Sequence, residues 1–206
     1  STDIEYYIHH ITPILKTDSR WIIYKEPEPD KTYVIGADAA EGLARSNFST
    51  AVIIDRSTAE CVALLKKKID PSVLGQEMVK MGMKYNNALL APELNNHGHT
   101  VVRELRSAGY RNIYKIKNKL GESKYGFTTN AQTKPLLADL MNDFLKDKLF
   151  DSLPEEIVSD LQGYSEEADK DITLYRNKLL KSSGDNNHFD ALMAFMIAQY
   201  VRQTKK

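Results

Sequence analysis

Three carboxylates stand in settings that suit chemistry. The run Tyr33-Val34-Ile35-Gly36-Ala37-Asp38 climbs through apolar residues to one acid, then breaks at small residues and Gly42. A buried strand that ends this way delivers a single charged group to the rim of a sheet. Ala37, Ala39 and Ala40 leave room beside it for a metal ion or a substrate. The stretch 88–98 repeats the layout, with an apolar run, Glu93 and then Gly98. Near the C-terminus, Asn187-His188-Phe189-Asp190-Ala191-Leu192 places a third acid at the start of an apolar helix. Magnesium prefers oxygen ligands and is usually held by one or two carboxylates plus substrate phosphate. Two such ions roughly 3.5–4 Å apart activate a water and stabilise the leaving oxygen in phosphodiester cleavage. Acids from two strands and a helix can hold two Mg²⁺ or Mn²⁺ ions in that way. No Cys/His cluster points to zinc.

Each acid alone also has a plainer reading. Asp38 could cap the turn that follows it, as Asp often does. Glu93 is a weaker turn former. Asp190 could complement the positive end of the last helix, an effect of about 0.3–1 kcal/mol at exposed sites. Its apolar neighbours Phe189, Ala194 and Ile197 argue for burial, however, and a buried carboxylate needs a partner or a metal. Three acids in matching contexts therefore weigh more than any one. Asp185 and His188 are further candidates at the third position, set against a loop acid and a cap neighbour. His97 follows Glu93 in a loop and is a further candidate, set against a surface residue. A basic set, Arg103, Arg106, Lys115, Lys117, Lys119 and Lys124, is the candidate phosphate track. Its plainer reading is a solvated strand face.

The elements that must position these groups follow from pattern. At 206 residues, with 42% hydrophobic and 27% charged residues, the chain can bury one good core. The single cysteine, Cys61, excludes an intrachain disulfide and fits a reducing compartment. No secretory leader is visible, and the apolar stretch 191–201 is too short to span a bilayer, so no membrane role is expected. Formal net charge is zero, which argues against a protein that grips nucleic acid tightly on its own. Charge is nonetheless uneven: 101–120 holds six Lys or Arg against one Glu, and 151–171 holds eight acids against one Lys.

Residues 1–30 read as an arm or the remnant of a linker, with helical spacing at Ile4, Tyr7 and Ile8 and a short strand at 21–24. The opening Ser1 fits a piece of a longer chain. Strands at 33–38, 50–55 and 61–69 form an antiparallel meander. Pro71 opens a helix to Tyr85, the second acid-bearing strand follows, and a helix covers 99–107. The stretch 113–119 reads as a strand and 121–123 as a hairpin tip. Helices follow at 133–149 and 154–162, then a polar stretch at 163–183 that could fold as a hairpin at 171–180, and a last helix at 189–203. This is an α/β pattern with a mixed sheet. Parallel pairing of the two acid-bearing strands would bring Asp38 and Glu93 out on the same edge, where open α/β sheets bind ligands.

At these residues the chain resembles the C-terminal nuclease domain of the large terminase subunit of tailed double-stranded DNA bacteriophages. The matching pieces are Tyr-x-Ile-Gly-x-Asp-x-Ala-x-Gly at 33–42, Pro-Glu-x-Asn-x-x-Gly at 92–98, Tyr-Gly-Phe-x-Thr at 125–129 and Asn-His-Phe-Asp-Ala at 187–191. The resemblance implies an RNase H-like (RuvC-like) fold with a central five-stranded mixed sheet flanked by helices. It implies metal-dependent endonuclease cutting of concatemeric viral DNA during packaging, in the host cytoplasm. Asp38 and Glu93 fall on the family's first two metal-binding acids. The third falls on Asp190, with Asp185 and His188 as alternatives, because Asn186 and Asn187 stand where many relatives carry an Asp pair. The partners implied are double-stranded DNA, an N-terminal ATPase domain of the same full-length protein, the portal and the small terminase subunit. No Gly-x-x-x-x-Gly-Lys-Ser/Thr loop occurs, so ATP hydrolysis is not expected of this chain. Residues 31–206 would be the nuclease domain. The rival readings are another RNase H-like nuclease, such as a junction resolvase, and a catalytically silent binding module of the same fold.

Overall fold

The β-branched and aliphatic runs become the sheet, and the runs with a 3.6-residue period cover it. A computed structural model describes residues 2–40, 48–94, 97–170 and 189–204, with the backbone alone for residues 2 and 165–170. In chain order the elements are α1 (Thr2–Ile8), β1 (Lys16–Asp18), β2 (Trp21–Ile23), β3 (Tyr33–Asp38), β4 (Ser49–Asp55) and β5 (Cys61–Lys67). Then come α2 (Pro71–Lys84), β6 (Leu89–Pro92), α3 (Gly98–Ser107), β7 (Lys115–Lys117), β8 (Ser123–Tyr125), α4 (Thr133–Lys146), α5 (Glu155–Lys170) and α6 (Asp190–Gln203).

Six strands form one mixed sheet in the order β1-β2-β5-β4-β3-β6. The meander β3-β4-β5 is antiparallel, and β6 pairs with β3 in parallel. The sheet has six strands rather than five because 16–18 folds back on β2 as an extra outer strand. Side chains alternate between its faces. Val34, Val52, Ile54 and Leu64 pack under α1, α4, α5 and α6 through Tyr7, Leu137, Leu161 and Phe195. Ile35, Ala37, Ile53 and Leu65 pack under α2 and α3 through Leu74, Met78, Val101 and Leu105. Helices thus cover both faces, as parallel pairing requires.

Gly36 brings α6 against the centre of the sheet. A Cβ on Gly36 would lie 2.2 Å from the Ala194 carbonyl oxygen and 2.8 Å from the Ala198 nitrogen. Only a residue without a side chain lets the helix backbone come this close, and the small Ala194 and Ala198 complete the fit. From Ala194 back to Asp190 is one helical turn, about 6 Å. From Gly36 on to Asp38 is two strand residues, about 6.6 Å. The contact therefore levels the first residue of α6 with the last residue of β3.

The first thirty residues lie on this same core. Tyr7, Trp21 and Ile23 are fully buried. The Tyr7 hydroxyl donates to the Phe150 carbonyl at 3.0 Å, and the Trp21 indole donates to Glu77 at 2.8 Å. The strand expected over 113–119 is confined to Lys115–Lys117 and stands outside the six-stranded sheet. Ile113 makes a single parallel bridge to Leu90, and Phe127 makes another to Glu93. Between them the chain leaves the sheet as a separate hairpin, β7-β8. The helix expected at 154–162 runs on to Lys170. The hairpin considered at 171–180 lies outside the described residues. Among the described residues, no helix is long and apolar enough to cross a membrane.

Candidate active site

The parallel ladder delivers two acids side by side. Its register pairs Ile35 with Leu90 and Ala37 with Pro92. The Glu93 amide then donates to the Ala37 carbonyl at 2.8 Å, one step beyond the last pair. Asp38 and Glu93 are neighbours for this reason, and their carboxyl groups are hydrogen-bonded to each other. Two carboxylates in that arrangement repel when both are charged. Asp38 is half-buried as a residue, but its carboxyl group is packed in by protein. Burial first, then the charge and hydrogen bond of Glu93, then the charge of Asp190, hold its pKa well above the usual carboxylate range.

Glu93 is held from the other side by the segment that follows the hairpin. The Phe127 amide donates to the Pro92 carbonyl at 2.8 Å, and the Leu94 amide donates to the Phe127 carbonyl at 2.6 Å. Gly126, with φ +99, makes this approach possible, since a Cβ there would meet the Leu94 side chain and the Pro92 carbonyl at 2.8–2.9 Å. Two residues on, the Thr129 hydroxyl donates to Glu93 Oε1. The motif 125–129 signalled that this stretch matters, but gave Thr129 no role.

Asp190 arrives from the helix layer. It is 8% exposed, and its backbone carbonyl accepts the Thr50 hydroxyl at 2.8 Å, where Thr50 is the residue paired with Asp38 on β4. Its carboxyl accepts the Phe48 amide, while Oδ2 is buried with no hydrogen-bond partner. Burial, then the charge of Asp160, push its pKa up to about 6, against the opposing Lys66 and Phe48 amide. The charge of Glu93 adds a smaller push.

Two more buried ionisable groups, not anticipated from sequence, stand here. Lys134, in the first turn of α4, is 9% exposed, and its charge opposes the rise at Asp38. The signal was present, since Lys134 falls on the buried stripe with Leu137, Met141, Phe144 and Leu145. Asp160, on α5, is 6% exposed and accepts the Leu192 amide at 3.0 Å. Nothing local in the sequence tied Asp160 to Asp190, thirty residues away.

The remaining candidates are more dispersed. His97 is half-buried at the residue before α3. Asp185 and His188 lie outside the described residues. Arg103 and Arg106 line an open depression of about 470 Å³ on the outer side of α3, with His99 and Ser107. Arg106 stacks over the Tyr125 ring at 4.9 Å, and Lys115 lies 5.8 Å from the same ring. Lys115, Lys117, Lys119 and Lys124 are all exposed on the hairpin. Tyr125 thereby joins the basic face of α3 to the hairpin, one residue before the Gly126-Phe127 step that flanks Glu93.

Among the described residues, no group of three His, Cys, Asp or Glu side chains is arranged to hold a metal ion as it stands. The donor set nevertheless fits a hard divalent cation. It is all oxygen, it contains a carboxyl pair whose charges repel, and it contains a buried carboxylate oxygen without a partner.

No protein-family model matches the sequence, and no curated protein matches it. Solved structures do match the fold. The large terminase nuclease of thermophilic phage G20c with bound magnesium superposes with a TM-score of 0.63 at 14% identity, over 97% of this chain and 95% of that one. The large terminase nuclease domain of Thermus phage P74-26 gives 0.61 at 15% identity, over 99% and 97%. The human cytomegalovirus terminase nuclease domain, manganese-soaked and inhibitor-bound, gives 0.55 at 8% identity, over 98% and 93%. The chain therefore has the RNase H-like fold of these nuclease domains, along nearly its whole length.

Proposed function

We propose that this chain is a divalent-metal-dependent endonuclease that cuts concatemeric viral double-stranded DNA during genome packaging. The observation that supports the reading is the hydrogen-bonded pair Asp38 and Glu93 at the sheet edge, near enough to feel the charge of Asp190, whose Oδ2 is buried and unpartnered. Fold alone does not assign chemistry. The acid edge is what supports a hydrolase, and the metal-bound neighbours agree with it.

Asp38, Glu93 and Asp190 would hold Mg²⁺ or Mn²⁺. Bound there, one or two ions supply an activated water and charge stabilisation on the leaving oxygen. The chain's own part is positioning. The β3-β6 ladder sets the spacing of Asp38 and Glu93, Thr129 orients Glu93, and α6 closes the third side with Asp190. Lys134 balances part of the acids' charge. Asp185 and His188 remain candidates beside Asp190, and His97 beside Glu93. Arg103, Arg106, Lys115, Lys117, Lys119 and Lys124 form the phosphate track, which the hairpin leads from α3 to the edge at Glu93.

In this reading the chain is the nuclease part of a large terminase subunit acting in the host cytoplasm. An ATPase domain of the same full-length protein, the portal and the small subunit would hold DNA for it. Zero net charge suits a nuclease that cuts only what others present. Residues 31–206 are the catalytic unit, and residues 1–30 are the connection, docked on its core.

The test is cleavage of supercoiled plasmid with Mg²⁺ or Mn²⁺, set beside a four-way junction, with Asp38→Asn as control. Metal-dependent cutting of plasmid that Asp38→Asn abolishes is expected. Preference for the junction would move the assignment to a resolvase. No cutting of either, with tight partner binding, would make it a silent module.

A further inference from the structure

We propose that Asp160 is a positioning residue for the metal centre, acting through Asp190. The inference rests on the nuclease reading above. Helix α6 begins at Asp190, and its N-cap residue, Phe189, offers no side-chain acceptor for the free amides of the first turn. A helix start buried without such acceptors is costly. Here the acceptor comes from another helix. Asp160 Oδ2 accepts the Leu192 amide at 3.0 Å, and the Ala191 amide also bonds to this carboxyl. An N-cap carboxylate performs the same task from within a helix, and its negative charge suits the positive end of the helix dipole. Asp160 is thus a cap supplied from α5.

What the cap holds is the residue carrying the third acid. Asp190 directly precedes the two amides that Asp160 binds. Its own carbonyl is held by Thr50 and its carboxyl by the Phe48 amide. Asp160 is itself countered by Lys66 at the end of β5, with Nζ 3.6 Å from Oδ1. Lys66 also lies 5.7 Å from the Phe48 ring centroid. Lys66, Asp160, the first turn of α6 and Phe48 therefore form a closed frame around Asp190. Lys66 also balances the negative charge that a second buried acid would otherwise add. Asp160 itself would touch neither substrate nor metal. It fixes the start of α6 and so the reach of Asp190.

Groups that orient a metal ligand typically change metal affinity or activity by 10–100-fold when removed. Asp160→Ala is expected to raise the Mg²⁺ concentration for half-maximal plasmid cleavage by roughly tenfold or more, with cleavage at saturating metal reduced much less. The metal titration of the melting temperature should shift by the same factor. Amide exchange at Ala191 and Leu192 should accelerate while Ala198 stays protected. Asp160→Asn keeps an acceptor and should hold half-saturation within about threefold of wild type. Where Asp160→Ala does not fold, Asp160→Glu takes its place, since its longer arm displaces the first turn in the same direction of effect. Faster exchange with unchanged half-saturation would overturn the proposal, leaving Asp160 a structural cap. A wild-type chain whose melting temperature and cleavage ignore both metals would overturn the metal-centre reading, and the positioning role with it, whatever the Asp160 variants do.

Discussion

The acid edge is built in two unlike ways. Asp38 and Glu93 are presented by neighbouring strands whose backbone hydrogen bonds fix their spacing to within a residue. Asp190 is presented by a helix whose position depends on distant contacts: the gap at Gly36, the Thr50 hydroxyl and the Asp160 cap. A ladder is a local and repetitive constraint, so the strand-borne pair tolerates little freedom. A helix can slide or tilt as a body, so the third acid is only as precise as its packing. The difference assigns the two halves different weaknesses. The pair is limited by its own repulsion, and the third acid by the parts that hold its helix.

The largest expected effect removes the pair. Asp38→Asn abolishes cleavage and the metal-induced rise in melting temperature, while the metal-free melting temperature holds or rises because a repulsion is gone. Plasmid cleavage and thermal melts with and without Mg²⁺ check this. A metal-free variant that melts far below wild type would break the contrast between the two halves.

Next, Gly36→Val strikes the helix-borne half without touching an acid. Its side chain must displace the α6 backbone at Ala194 and Ala198, at a cost of about 3 kcal/mol. Denaturant melts should show that loss. Far-ultraviolet circular dichroism should show the helices retained.

A milder change separates orientation from ligation. Thr129→Val keeps shape but removes the hydroxyl that donates to Glu93. Metal half-saturation should rise roughly tenfold, at the low end for a group that orients a ligand.

A graded stability effect comes from pH. Folded Asp190 keeps its proton up to about 6, above the ordinary Asp value of about 3.9. Between those values the folded chain binds more protons than the unfolded one, so this group's contribution falls as pH rises through the window. The full span is on the order of 3 kcal/mol, and Asp190→Asn should flatten it in metal-free melts. Because a metal ligand must be deprotonated, the metal-induced rise should be small at pH 5 and large at pH 7.5.

The hairpin falls outside this contrast. Its double variant Lys115→Ala/Lys117→Ala should leave stability unchanged and reduce the salt slope of DNA binding by about 2.

Much of the acid edge could be anticipated because Asp38 and Glu93 end apolar runs and Asp190 begins one, and such runs report burial directly. Asp38 and Glu93 needed only their strands to pair in parallel for their side chains to meet. The hairpin's exit from the sheet was hidden, since Ile113 to Lys117 reads as a strand whether it pairs with β6 or with β8. The outer strand at 16–18 was hidden too, because three mostly exposed residues carry no hydrophobic pattern. Lys134 was visible as a charge on an apolar stripe, though not what it faces. The partners of Thr129 and Asp160 were not legible, since a hydroxyl or a carboxylate in sequence does not name a partner 36 or 32 residues away, respectively.

Sequence by itself determined which stretches are buried, where each one breaks, and that three of the breaks carry an acid. Those are properties of local periodicity and composition. The tertiary structure alone decided that α6 meets the sheet at Gly36, that Thr129 reaches Glu93, and that α5 supplies the missing cap beside Asp190. These depend on backbone approach and on satisfying buried polar groups across the fold, and no window along the chain contains both partners.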